Sequence, residues 1–291
     1  MAKFGYNFND EEVFIDYDNK DFIFKNIKKY HNLKILHCDN KQLIELPHHL
    51  PNTLEILNCS NNLIKVLPAL PESLIELNCS NNPLIKAPIL PKNLLYLIFS
   101  SIDCSNKSED KSEDKKENFN IFPKLPDNLR LLDCSYNKLS EFPENLPDNL
   151  NDFICSYNKL VNLPVLPQSL QILNCFHNLL VKLPEIPDNL KILTCDYNKL
   201  SVLPDFPELF DDENLGCSKN AKLKYIYDDF KIKTINETNL KIKIIKKMKL
   251  LDRTLLLEHS AKISLNPKRI ERLLESGEID FFDDSFDNLT S

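Results

Sequence analysis

The sequence predicts a solenoid of short stacked coils, each giving one strand to a parallel β-sheet and returning through an extended, proline-bearing segment. Three observations predict it. Cys recurs at 38, 59, 79, 134, 155, 175, 195 and 217, in steps of 20 to 22 residues apart from one gap of 55. Sixteen of the 18 prolines fall into eight pairs of the same period: 47/51, 68/71, 88/91, 123/126, 143/147, 164/167, 184/187 and 204/207. Each unit reads L-x-x-L-x-C-x-x-N-x-L-x-x-L-P-x-L-P-x-x, and in the units starting at Leu33 and Leu129 an extra residue sits between the paired prolines. Two independent markers sharing one period identify a repeat architecture.

The strand comes first in each unit. Leu57 and Cys59 are two residues apart, so on a strand both point inward while Asn58 points out. Stacking one strand per coil places neighbours about 4.8 Å apart. The return "LPALPES" cannot be helical, because each Pro removes a backbone donor and restricts the residue before it. An extended, polyproline-like path fits both the prolines and the short period. Between strand and return, the Asn at the ninth position (Asn62, Asn82, Asn137, Asn158, Asn178, Asn198) sits where the chain turns away. Its amide is suited to pairing backbone groups that the turn would otherwise leave without partners.

The repeated Cys (Cys38, Cys59, Cys79, Cys134, Cys155, Cys175, Cys195) falls on an inward position. Metal binding, disulfides and core packing are the competing readings. Phe99 takes the same slot in the fourth unit, and a Phe neither ligates a metal nor forms a disulfide. No C-x-x-C pair with nearby His is present. Stacked thiols about 5 Å apart satisfy a disulfide by distance, but parallel side-chain vectors and a reducing compartment oppose it. Free Cys packs as a small hydrophobe, so the expectation is a core ladder, with Cys104 as an additional core position and no metal.

The composition narrows the function. Gly5, Gly216 and Gly277 are the only glycines and lie far apart, which excludes a phosphate loop built on clustered glycines. A net charge of −7 opposes general nucleic-acid affinity, which needs many phosphate-neutralising cations. Residues 1 to 30 show Asp, Glu and Lys throughout and no apolar signal segment, and no run approaches 18 apolar residues. A cytoplasmic protein without a membrane span is expected.

Leu54, Leu57, Cys59, Asn62, Ile64 and Leu67 match the signature positions of a leucine-rich repeat, which the unit closely resembles. The short period and paired prolines resemble the shortest class, found in secreted effectors of enteric bacteria. Frequent Cys, Asn-rich strands and the segment "NPKRIERLLESGEID" resemble repeat proteins of giant DNA viruses of amoebae. The resemblance covers roughly residues 33 to 220. It implies a sheet on the concave side, a binding role rather than chemistry, and a host-cytoplasm location if the protein is viral.

On this reading residues 1–32 cap the first coil, and 33–220 hold about eight units plus a partial ninth. Residues 105–120 form a charged insertion repeating Ser-Glu-Asp-Lys, and Ile102 replaces the turn Asn just before it. Residues 221–291 form a C-terminal cap or small helical module. There "KLKYIYDDFKIKTI" alternates like strands, "LKIKIIKKMKLLDRTLLLEHS" suits a helix, and a second helix begins at Asn266-Pro267. The five lysines from 241 to 249 read as a solvated helix face, with contact to an anionic surface the alternative.

Outward residues of the strands form columns. One runs Ile35, Ile56, Glu76, Tyr96, Leu131, Asp152, Ile172, Ile192, and the next His37, Asn58, Asn78, Ile98, Asp133, Ile154, Asn174, Thr194. A third contains Ser60, Ser80, Ser100, Ser135 and Ser156, with Tyr136, Tyr157, His177 and Tyr197 one residue further on in their units. Apolar and aromatic anchors ringed by Asn and Ser are the composition of a protein-binding patch, and partial burial against flanking residues is the competing account. The expected binders are Ile35, Ile56, Tyr96, Leu131, Ile154, Ile172, Ile192, Tyr136, Tyr157 and Tyr197.

No cofactor and no catalytic set is expected. The bacterial effectors often carry a ubiquitin-ligase domain that uses a Cys, but no Cys follows Cys217 in this chain. His48 and His49 fall in the "LPHHLP" return and read as surface residues. The alternative to a plain protein-binding scaffold is an adaptor, whose C-terminal module recruits a second factor, such as ubiquitin machinery, to the repeat-bound target.

Overall fold

The computed structural model describes residues 7–16, 18–100, 122–142, 145–207, 210–220, 223, 235–240 and 242. Ten strands form one sheet in strict sequence order, and every pairing is parallel. They are β1 (Glu12–Phe14), β2 (Ile35–His37), β3 (Ile56–Asn58), β4 (Glu76–Asn78), β5 (Tyr96–Ile98), β6 (Leu131–Asp133), β7 (Asp152–Ile154), β8 (Ile172–Asn174), β9 (Ile192–Thr194) and β10 (Leu215–Gly216). Each strand from β2 to β9 has only three residues, of which the middle one is buried. That residue is Leu in every case except Phe153, and none of the eight retains exposed surface.

So short a strand needs pairing on both sides. The ladder extends past the strand ends, with Cys59 N donating to Asn78 O (2.9 Å) and Asn61 N to Ser80 O (2.9 Å). The second proline of each pair closes the return. Its carbonyl accepts from the backbone N–H three residues on, that of a Leu in seven of the eight, as in Leu74 to Pro71 (3.0 Å) and Leu150 to Pro147 (3.0 Å), and that of Phe210 at Pro207. Proline can accept there, where its missing N–H costs nothing.

The segment before the first repeat joins the sheet through β1, which extends the parallel ladder by one strand. Helix α1 (Lys20–Asn26) and the 3-10 turn Ile27–Lys29 bury Ile23 and Ile27, and Tyr30 closes the first coil with 2% of its surface exposed. Lys34–Glu11 (3.1 Å), His37–Glu12 (3.1 Å) and Lys41–Asp16 (3.2 Å) tie cap to first coil at its surface. Such exposed pairs contribute little each.

The 55-residue gap between Cys79 and Cys134 leaves the sheet continuous, because β5 pairs directly with β6. Across this break the core turns aromatic. Phe99, Phe122, Phe142 and Phe153 pack edge to face in succession, with centroids 5.5, 5.0 and 5.0 Å apart. Phe99 and Phe153 occupy slots that other coils give to Cys and Leu, and the larger rings fill the interior there. The insertion 105–120, Ile102 and Cys104 lie outside the described residues.

At the far end, residues 235–240 are helical and Ile235 is fully buried. Asn236 and Phe206 exchange two hydrogen bonds of 2.9 Å, and Asn239 Nδ2 donates to Leu203 O (2.9 Å). This helix is therefore clamped onto the last return. Of the strand-like run 222–235 only Leu223 and Ile235 are among the described residues, and neither is extended, Leu223 being in a 3-10 turn and Ile235 opening the helix. The two helices over 240–260 and from Asn266 lie outside the described residues apart from Leu240 and Ile242.

Candidate functional site: the outward face of the sheet

The pairing register assembles the two strand columns residue for residue. Ile35, Ile56, Glu76, Tyr96, Leu131, Asp152, Ile172 and Ile192 are successive Cα partners, as are His37 through Thr194 in the second column. All of the first column is half-buried except Ile192, which keeps 38% of its surface exposed. Strand neighbours on either side flank these side chains, so the apolar members of the column are only partly wet.

Beneath it, the thiols of Cys38, Cys59, Cys79, Cys134, Cys155, Cys175, Cys195 and Cys217 are buried and free. Burial pushes every one of them up, to about 12 at Cys38, Cys79 and Cys217, which leaves no thiolate for nucleophilic or metal chemistry near neutral pH. Among the described residues no group of three or more His, Cys, Asp or Glu is arranged to hold a metal ion.

The asparagines lock one coil to the next. Asn158 Nδ2 donates to the carbonyls of Cys134 and Cys155 (both 3.0 Å), while its Oδ1 accepts from Asn137 N (3.1 Å) and Leu139 N (2.9 Å) of the preceding coil. Asn62, Asn82, Asn137, Asn178 and Asn198 repeat the donation to Cys carbonyls, with Phe99 O taking that place for Asn137. Most Cys carbonyls thus serve two asparagines, as Cys155 O serves Asn158 and Asn178. Asn220 is a seventh member that the sequence reading missed, although it stands three residues after Cys217 as the others do after their Cys.

A second inter-coil ladder was also missed. Thr53, Ser73, Asn93, Asn149, Ser169 and Asn189 each donate to a carbonyl of the preceding coil, at 2.7 to 3.3 Å. The available signal was a Ser, Thr or Asn directly before the first Leu of each unit.

Two residues past each repeated Cys the backbone enters the left-handed region, and Gln42 and Lys138 add a second such residue in their coils. Asn40, Asn61 and Asn81 hold that position in the first coils, at φ of 54° to 56°, and Tyr136, Tyr157, His177 and Tyr197 hold it later, at 54° to 61°. Asn tolerates this geometry and an aromatic residue normally avoids it, at a cost of about 1–2 kcal/mol. Stacking offsets the cost. Tyr136 lies 4.3 Å from Tyr157 and 11° from parallel, Tyr157 lies 4.9 Å from His177, and His177 lies 6.0 Å from Tyr197. Phe176 leans against both Tyr157 and Tyr197 at 5.2 Å. The three tyrosines remain 38% to 46% exposed, so the sheet is bordered by an open aromatic ledge.

The apolar members of the face divide into groups. Ile172 and Ile192 are direct partners, Leu131 and Ile172 flank Asp152, and Ile154 lies between Asp133 and Asn174. Ile35 and Ile56 form a separate pair near the cap, and Tyr96 stands between Glu76 and Leu131. Burial pushes the Asp152 carboxyl above the usual carboxylate range. No helix among the described residues is long and apolar enough to cross a membrane.

No family model and no curated protein matches the chain. Solved structures do. YopM from Yersinia enterocolitica WA-314 is 35% identical over 61% of this chain and 36% of its own, with a TM-score of 0.50. YopM from Yersinia pestis, a leucine-rich effector protein, is 32% identical over 66% of this chain and 55% of its own, with a TM-score of 0.52. The functional domain of InlJ from Listeria monocytogenes, which includes a cysteine ladder, has a TM-score of 0.51 at 23% identity over 67% of this chain and 46% of its own. The chain therefore spans about a third to a half of the YopM chains it matches. The stacked three-residue strands, the inward Leu and Cys, the Asn ladder and these likenesses together make the fold a leucine-rich-repeat solenoid.

Proposed function

We propose that this protein is a non-enzymatic scaffold that binds a protein partner through the concave, outward face of its sheet. The observation that carries the reading is a partly wet group of apolar side chains on the sheet, Ile172 beside Ile192 with Leu131 and Ile154 around Asp152, bordered by the ledge of Tyr136, Tyr157 and Tyr197. Such patches on soluble proteins mark interaction sites. The likeness to a leucine-rich effector protein supports a binding role, and the thiol-rich core fits a reducing cytoplasm, that of a host cell if the protein is viral.

The test is affinity capture from host-cell lysate with the full chain and with Ile172→Lys/Ile192→Lys. The reading expects a saturable partner that the double variant loses at unchanged thermal stability; equal capture by both proteins would sink it. An adaptor role for residues 221–291 would show as a second partner, held by the full chain and released by a chain ending at Ile242, which keeps the clamped helix in place.

A further inference from the structure

We propose that the segment this face takes is an extended stretch with two cationic residues four apart and an apolar residue midway, lying along the sheet axis across β4 to β7. The inference rests on the concave-face reading and narrows it to a partner chemistry.

Glu76, Tyr96, Leu131 and Asp152 follow one another as register partners on four adjacent strands. Three steps of about 4.8 Å put the two carboxylates about 14 Å apart. An extended chain advances about 3.4 Å per residue and presents every second side chain to the same side. Residues i and i+4 of such a chain are thus about 14 Å apart, both facing the sheet, with residue i+2 facing it midway. Cations at the ends would meet Glu76 and Asp152, and the middle side chain would lie over Tyr96 and Leu131.

Charge supports the assignment. From β4 to β9 the two outward columns carry Glu76, Asp133 and Asp152 and no cationic residue, in a chain of net charge −7. The Lys–carboxylate ion pairs among the described residues, Lys34–Glu11 and Lys41–Asp16, both lie between the N-terminal segment and the first coil. Neither Glu76 nor Asp152 is among their partners. Asp133 instead accepts from Ser135 N (3.0 Å) and Ser135 Oγ (2.7 Å). Asp152 sits between Leu131 and Ile172, half-buried and partly desolvated, where an incoming cation gains more than it would against a fully hydrated carboxylate. Arginine suits the site better than lysine, because its planar head pairs with both carboxylate oxygens and lies flat on a tyrosine ring.

The experiment uses the full chain in about 50 mM salt, where surface electrostatics is weakly screened. Binding of a blocked Thr-Arg-Thr-Leu-Thr-Arg-Thr peptide is titrated by calorimetry. The comparison probes are the same peptide with Glu for Arg, one with the arginines three apart, and a thymidine oligonucleotide. The four-apart arginine peptide is expected to bind, the three-apart version about fivefold more weakly, and the other two not at all. Asp152→Asn and Glu76→Gln should each weaken it about two- to fivefold at unchanged melting temperature, the scale of one ion pair.

Indifference to spacing, indifference to both substitutions, or binding of the oligonucleotide or Glu peptide would overturn the inference. Loss of lysate capture in Ile172→Lys/Ile192→Lys with no peptide binding removes this inference alone. Retained capture in that variant removes the concave-face reading itself.

Discussion

Raising the pH should unfold this protein through its thiols. Eight free thiols are buried in the core, and burial holds each above the ordinary value of 9.0, at about 12 where a value is defined. The folded state therefore favours the protonated thiol. This stability is fully present below about pH 8 and is lost as the pH rises through 9 toward 12, because only the unfolded chain can ionise there. At pH 10 a thiol free to ionise at 9 gains about 1.4 kcal/mol over one held protonated. Eight of them come to about 11 kcal/mol, comparable to the whole stability of an ordinary domain, about 5–15 kcal/mol. Urea unfolding followed by circular dichroism at pH 7.5, 9 and 10, with reductant present, measures the loss directly. Unfolding without denaturant should set in near pH 10. Cys155→Ala/Cys175→Ala should be less stable at pH 7.5, by about 1–2 kcal/mol for each cavity, yet show about a quarter less slope against pH. Stability that stays flat to pH 10 would refute the buried, protonated ladder.

Asn158→Leu leaves the N–H groups of Asn137 and Leu139 without their side-chain acceptor, while the Cys134 and Cys155 carbonyls keep Asn137 and Asn178. Urea denaturation should show a loss of about 2–4 kcal/mol. Tyr157→Asn restores the residue that earlier coils use at the left-handed position and should change stability by less than about 1 kcal/mol; Tyr157→Val, β-branched at φ of 54°, should lose about 2 kcal/mol or more in the same assay. Ser169→Ala removes a hydroxyl that lies 2.7 Å from both Asp148 O and Leu150 O and shares its one proton between them, and should lower stability by about 1 kcal/mol.

Particular residues show why the fold was so legible in the sequence. Cys59, Asn62 and the Pro68/Pro71 pair each mark a separate part of the coil, namely inward strand, inter-coil lock and return. One unit read correctly fixes its copies, and the strand register follows from the Cys spacing. The β1 strand was hidden because "EEVFI" carries none of the unit's markers, having neither the Cys nor the paired prolines. The aromatic ledge was visible as a run of Tyr and His one residue beyond the Ser column. Its stacking, and the left-handed backbone beneath it, depend on coil-to-coil spacing that no single unit encodes. The same holds for the Glu76–Asp152 interval, which exists only once four strands are laid side by side.

The central claim is that recognition sits on the sheet and not on the returns. A photo-crosslinking side chain placed at Ile172, on the sheet, and separately at Ile89, 87% exposed on a return, tests it in the full chain. The account predicts a discrete crosslinked partner from position 172 and none from position 89. A partner captured from position 89 with none from 172 would contradict it.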